Sequence, residues 1–398
     1  MLDTQTIVSR FLESKRQVHP DVVRYIHEQN DPALLDRILE GVPGDAVVVS
    51  VKHIPGVVQE RDGARFAAER DVEVVMGARG SAGSIGGVGD YFHYFRDRYT
   101  RLGNILRTRV SPMPIEALTK SARYRQEACT VLGIVGDLRS TTNGHRIAEI
   151  EDPTGNVSVL FNKDRPGFSD AESLISDEVV GVRGTLSNDG RIFFADQLFR
   201  PDVPISHAPF LSPDPGKAIF ISDIHVGSST FLEDAWHRFA EWLEGSDASY
   251  LLVAGDLVDG IGIFPGQEQE LTLPNIYAQY EKLGELISMV PRRIRIILAP
   301  GNHDVVRGAE PQPAIPEKFT EKFPDNCTFV ENPAMVNLQG VHVLMYHGRS
   351  IDDMISQIPG ATYEKPGPMM DAMLQRRHLA ATYGRRTPIA ADREDRLL

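Results

Sequence analysis

The stretch AIFISDIHVGSS, residues 218–229, constrains the chain more than any other. A short apolar run, Ala218 to Ile221, stops at Asp223, then His225 and Gly227 follow, each after one spacer. Such a run bounded by turn residues reads as a buried strand, and here it ends on a carboxylate and an imidazole two residues apart. Three later runs end in the same way. SYLLVAGDL delivers Gly255-Asp256, IRIILAPGNH delivers Gly301-Asn302-His303-Asp304, and VHVLMYHG delivers His347-Gly348. Helical periodicity fills the gaps, in FLEDAWHRFAEWLEG and IYAQYEKLGELISMV. Strands alternating with helices predict an α/β domain whose central sheet is covered on both faces. In such sheets the site lies outside the carboxyl ends of the strands. Any one of these motifs alone is ordinary turn chemistry. Four in order, at four strand ends, are not.

The residue types suit a pair of divalent cations. Carboxylate, imidazole and amide oxygen are hard-to-borderline donors, which fit manganese, iron or zinc better than copper or a sulfur cluster. A carboxylate from the second strand can serve both ions, and two ions roughly 3.5–4 Å apart activate water and neutralise a phosphoryl group.

The order DIH (223–225), GDLVD (255–259), GNHD (301–304) and His347 resembles the calcineurin-like metallophosphoesterases. The resemblance implies that Asp223 and His225 bind one metal ion, that Asp256 bridges, and that Asn302 and His347 bind the second. It further implies that His303 is the catalytic imidazole near the leaving oxygen and that Asp259 orients it by a hydrogen bond. Manganese stands first among the expected ions, with iron, zinc or magnesium as alternatives. GDLVDGIGIFPGQEQEL, GNHDVVRGAEPQPAI, YHGRSIDDMI and KPGPMMDAMLQRRHLAATYGRRTPIA are similar to segments of the small subunits of archaeal family-D DNA polymerases, and the likeness runs over about 125–398. That resemblance implies a DNA-directed DNA polymerase subunit with metal-dependent 3′→5′ exonuclease activity in DNA replication. It would act on DNA 3′ ends beside a large polymerase subunit, as a heterodimer or in a larger assembly. The superfamily pattern closes with G-H-x-H, and none follows RRTPIAADREDRLL. The expectation is therefore a C-terminally incomplete phosphoesterase domain, whose 398 residues by themselves bind manganese poorly. Two other readings stay open: a non-catalytic scaffold subunit, and a free-standing metallophosphodiesterase or protein phosphatase.

The rest of the chain divides by pattern. Residues 1–60 form an N-terminal helical region, with Asp31-Pro32 as a helix start and AVVVSVKHI (46–54) as a strand. Residues 61–124 hold a glycine-rich linker, GARGSAGSIGGVGD, and a basic aromatic helix whose Tyr91, Phe92, Tyr94 and Phe95 dock on a neighbouring domain. The linker lacks the Gly-Lys-Ser/Thr ending of a phosphate-cradling loop. Residues 125–205 carry short alternating runs separated by EDPTGN and SNDGR, which suit a five-stranded OB-fold barrel. The family resemblance implies that residues 206–398 are the phosphoesterase domain, a central β-sandwich flanked by helices.

A net charge of −13 excludes broad, sequence-blind coating of nucleic acid. Cys129 and Cys327 sit far apart and read as reduced thiols, and no run is apolar enough to span a membrane, so a cytoplasmic location is expected. His93, His145, His237, His342 and His378 have no companion motif and read as structural. Arg376, Arg377, Arg385 and Arg386 read as a solvated helix face.

Overall fold

The computed structural model describes residues 3–14, 16–29, 31–42, 48–49, 72–76, 87–120, 127–165, 167–212 and 216–398. The chain forms two compact units, Met1–Asp71 and Val72–Leu398. The first unit holds α1 (Thr4–Glu13), α2 (Pro20–Gln29) and α3 (Pro32–Gly41), with β1 (Gln17–Val18) paired in parallel to β2 (Val48–Val49). The Asp3 and Asp31 carboxylates accept from Thr6 N and Ala33 N at the starts of α1 and α3, satisfying donors that a helix leaves free there. Ile7, Phe11, Val22, Ile26, Leu35 and Ile38 bury its core. Of the strand expected over 46–54, all but Val48–Val49 lies outside the described residues, as does 77–86 of the glycine-rich linker.

The second unit opens with β3 (Val72–Met76), in a region read from sequence as linker. It continues with α4 (Val88–Arg107) and α5 (Ile115–Lys120). A closed barrel follows: β4 (Cys129–Ser140), β5 (Arg146–Asp152), β6 (Gly155–Phe161), β7 (Val179–Leu186) and β8 (Ile192–Phe199), in the order β4-β5-β6-β8-β7. The register of β4 shifts between Val135 and Leu138, and such a bulge bends a strand enough to pair with both β5 and β7. Alternate inward residues, Val131, Val135, Ala148, Ile150, Val157 and Val159 among them, fill the interior. Helix α6 (Phe168–Glu172) lies between β6 and β7 in sequence.

Four parallel strands come next, β9 (Lys217–Ile221), β10 (Ala248–Ala254), β11 (Arg295–Ala299) and β12 (Cys327–Phe329), ordered β12-β11-β10-β9. Helices α7 (Glu233–Gly245) and α8 (Ile276–Ser288) cover one face through Trp236, Leu243, Tyr280, Leu283 and Ile287, packed on Leu251, Val253, Ile296 and Leu298. Against the other face lies an antiparallel sheet, β14 (Val341–Met345), β13 (Ala334–Leu338) and β3. Tyr250, Leu252 and Ile297 of the first sheet pack there on Val336, Leu338 and Met345 of the second. The run VHVLMYH therefore does not extend the parallel sheet, as the alternation suggested; it is an edge of the second sheet. His347 still reaches the site because the two sheets stack with the exit of β14 over the carboxyl ends of β10 and β11.

Helices α9 (Ile351–Ile355) and α10 (Gly367–Arg376) complete the unit. Helix α4 bridges it: Leu102 and Leu106 pack on Leu132, Ile134 and Val179 of the barrel, and Tyr94 packs with Ala380, Ile389 and Leu397. The expectation of a solvated Arg376 is overturned. Its side chain is buried and pairs at 2.9 Å with the Glu178 carboxylate beside β7, because the C-terminal end of α10 packs on the barrel.

Candidate metal centre

Two loops leaving β9 and β10 are stitched together by backbone. Asp223 N donates to Gly255 O at 3.0 Å, His225 N to Asp256 O at 3.0 Å, and Asp259 N to Val226 O at 3.0 Å. This pairing forces unusual backbone angles. Asp223, His225 and Asp256 have φ of +56°, +52° and +50°, in the left-handed region that non-glycine residues seldom occupy. Strain of this kind persists where the surroundings over-determine it, and it concentrates at functional sites.

Glycine is required at two contact points. A Cβ at Gly301 would fall 2.2 Å from Asp256 Oδ1, and one at Gly255 would fall 2.4 Å from His347 Nδ1. The GNHD turn can lie on the Asp256 carboxylate only because no side chain stands between them.

The Asp256 carboxylate is the hub. Its Oδ2 is 3.5 Å from His225 Nε2, and its Oδ1 is 3.4 Å from His347 Nε2. Oδ1 also accepts from His303 N at 2.9 Å. On the first side, Asp223 Oδ1 lies 3.8 Å from His225 Nε2, and donor atoms of Asp223, His225 and Asp256 all fall within 4.8 Å of one another. On the second, Asn302 Oδ1 is 3.2 Å from His347 Nε2. The His347 Nδ1 nitrogen donates to Ala254 O at 2.9 Å, so Nε2 is the nitrogen turned to the oxygens.

The field at this rim favours positive charge. Burial pulls the His347 pKa down, but the hydrogen bond to Asp256 and its charge carry it up to about 9. The His225 pKa is raised through its contact with Asp223, against the opposing effect of burial. Burial pushes the Asp256 carboxyl up, yet the His347 contact holds it below its ordinary value. Oxygens that stabilise an imidazolium equally suit a divalent cation. The donor chemistry therefore fits two such ions, Asp223, His225 and Asp256 for one and Asp256, Asn302 and His347 for the other.

One expected contact runs through the backbone. The Asp259 carboxylate does not accept from His303: its Oδ1 meets His225 Nδ1 at 3.1 Å, and its Oδ2 accepts from Gln267 Nε2 at 3.0 Å. The Asp259 backbone carbonyl is what accepts from His303 Nδ1, at 2.7 Å. Gln267, wholly buried, fixes the carboxylate from behind and leaves its other oxygen facing His225.

Several supporting residues escaped the sequence reading. The buried Asp304 carboxylate accepts from Leu257 N, Gly301 N and the Tyr280 hydroxyl, so it ties two site loops together. Burial carries its pKa up to about 6. Asn332 accepts from His347 N and donates to Gln312, which donates to Gly301 O. Asp304 was visible in GNHD; nothing local marks Asn332 or Gln312.

Residues 216–391 match the family model of the calcineurin-like phosphoesterases. The DNA polymerase II small subunit of Methanothermobacter thermautotrophicus is 41% identical over 363 residues, covering 86% of this chain and 73% of that one. The protein of the same name from Halobacterium salinarum is 42% identical over 344 residues, covering 84% and 67%, and that of Thermoplasma acidophilum is 34% identical over 369 residues, covering 90% and 74%. The chain belongs to the family of DNA polymerase II small subunits. These small-subunit alignments extend well beyond the phosphoesterase match, so the barrel belongs to the shared architecture.

Proposed function

We propose that this chain is a polymerase small subunit with metal-dependent 3′→5′ DNA exonuclease activity, working on DNA 3′ ends beside a large polymerase subunit. The observation that carries the proposal is the Asp256 carboxylate, whose two oxygens face two separate donor sets. Two divalent ions held there, with manganese the first to test, would activate water and offset the charge of the phosphodiester. The chain's own groups supply the rest. His303 lies against the first donor set, its ring 4.7 Å from that of His225. With Nδ1 fixed on the Asp259 carbonyl, Nε2 is the nitrogen available to hold a proton and give it to the leaving oxygen. Asp259 acts by holding His225 in place. The barrel's strand order, with a helix between its third and fourth strands, supports reading it as an OB-fold. No helix among the described residues is long and apolar enough to cross a membrane, and a replication role puts the protein in the cytoplasm.

The test is release of 3′ nucleotides from single-stranded and mismatched DNA with manganese. It uses the 398-residue chain alone and together with the large subunit. His303→Ala is expected to slow release by about 10²–10⁴. Unchanged release in a clean His303→Ala preparation overturns the role given to that residue. No release by wild type, alone or bound to the large subunit, would favour the scaffold reading.

A further inference from the structure

The loop that follows Asp259 exposes apolar side chains beside a site made of charges. Ile261, Ile263 and Phe264 are 47%, 40% and 40% exposed. An apolar loop tip in water is unfavourable, and here its backbone is firmly braced. Gln279, wholly buried, accepts from Gly260 N at 2.9 Å and donates to Gly260 O at 3.1 Å. Gln267 accepts from Ile263 N at 2.9 Å while donating to the Asp259 carbonyl and carboxylate. The amide that fixes the loop is thus the amide that fixes the site. The loop also lies against the catalytic turn: a Cβ at Gly260 would be 2.3 Å from His303 O and 3.1 Å from the Ile263 side chain.

We propose that Ile261, Ile263 and Phe264 form a platform for one nucleobase of a single-stranded DNA 3′ end, the base of the nucleotide next to last. This rests on the exonuclease reading. When the terminal nucleotide is removed, a water oxygen bonds to phosphorus and the bond from phosphorus to the preceding nucleotide's 3′ oxygen breaks. His303 gives its proton to that oxygen, and the water's proton goes to solvent. The nucleotide whose oxygen meets His303 is therefore the next to last, and the loop that packs on the His303 backbone through Gly260 is the one set to take its base. Stacking on Phe264 requires a base freed from its partner, so the platform favours frayed and mismatched ends over paired ones.

The test is fluorescence of 2-aminopurine placed next to last in a single-stranded oligonucleotide, with manganese, in a His303→Ala background that suppresses turnover. The probe is expected to be quenched on binding, while the same probe five nucleotides inward is not. Phe264→Ala is expected to abolish the quench and weaken binding about 5- to 150-fold, the range for loss of one stacked base. Phe264→Trp should restore both, which separates stacking from a general effect on the loop. An unaltered quench in Phe264→Ala, or a quench confined to a probe at another position, overturns the platform. Because the readout is binding, it stands apart from whether the wild-type chain releases nucleotides, which tests the exonuclease reading itself.

Discussion

At the scale of single residues, Gly301 is the most exacting position in the centre. The Cβ of alanine there would meet Asp256 Oδ1 at 2.2 Å and Asp256 N at 2.4 Å, and neither a backbone nitrogen nor a buried carboxylate can swing away. Gly301→Ala is expected to destabilise the protein by about 1–3 kcal/mol, as overpacking does. It should also weaken manganese binding at least ~10-fold, read by electron paramagnetic resonance beside a thermal melt; unaltered affinity would contradict the close contact. The site donors were legible in the sequence because their signal is local: Asp223, His225, Asp256, Asn302, His303 and His347 each sit within a few residues of a strand end. Gln267, Gln279, Gln312 and Asn332 were not legible. Each acts from a distance through hydrogen bonds that no spacing encodes. That Asp259 meets His303 through its carbonyl was hidden for the same reason, since Gln267 decides which way its carboxylate faces.

At the scale of elements, the barrel and the phosphoesterase sheets are joined by buried charges on α4, α10 and the C-terminal segment. Arg98 Nε donates to Asp395 at 2.7 Å, and His378 Nε2 lies 2.8 Å from the same carboxylate, all three side chains buried. Ala380 N donates to His378 Nδ1, so Nε2 carries the proton that faces Asp395. Burial pushes the Asp395 carboxyl up, but the Arg98 charge and the hydrogen bonds from His378 and Arg98 hold it well below the usual carboxylate range. A depressed folded pKa contributes stability that is fully present above the unfolded value, near 3.9, and is lost as pH falls toward the folded one. Asp395→Asn is therefore expected to cost about 3–5 kcal/mol at neutral pH, because it leaves Arg98 buried without its partner. Urea midpoints of wild type should fall below about pH 4, and those of Asp395→Asn should fall less steeply; parallel curves would contradict the linkage. Elements with strong periodicity, α7, α8 and the parallel strands, could be read from sequence. The resemblance implied a second sheet, but its make-up could not be read, because β3 joins β13 across more than 250 residues and its five residues carry no distinguishing pattern. Arg376 read as solvated because its partner, Glu178, is far away in sequence.

At the scale of the whole molecule, a net charge of −13 sets how the protein meets DNA. Lasting contact with a duplex needs a basic surface that displaces counterions, so the isolated chain is expected to bind duplex DNA only weakly at physiological salt. A sub-micromolar affinity would show a basic surface that the charge balance hides. In the proposed assembly this chain receives a freed 3′ end at the rim formed by Asp223, His225, Asp256, Asn302 and His347. That rim exists because two stacked sheets, only one of them foreseen from the alternation of strands and helices, send their strand ends to one place. The most direct measurement is manganese occupancy of wild type, His225→Ala and Asp256→Asn, at a manganese concentration raised until wild type is loaded, by elemental analysis and paramagnetic resonance on the same preparations. A carboxylate shared by two donor sets predicts that Asp256→Asn empties both positions, while His225→Ala spares the Asn302–His347 side. Equal occupancy in the two variants would contradict a shared Asp256, and with it the two-ion centre.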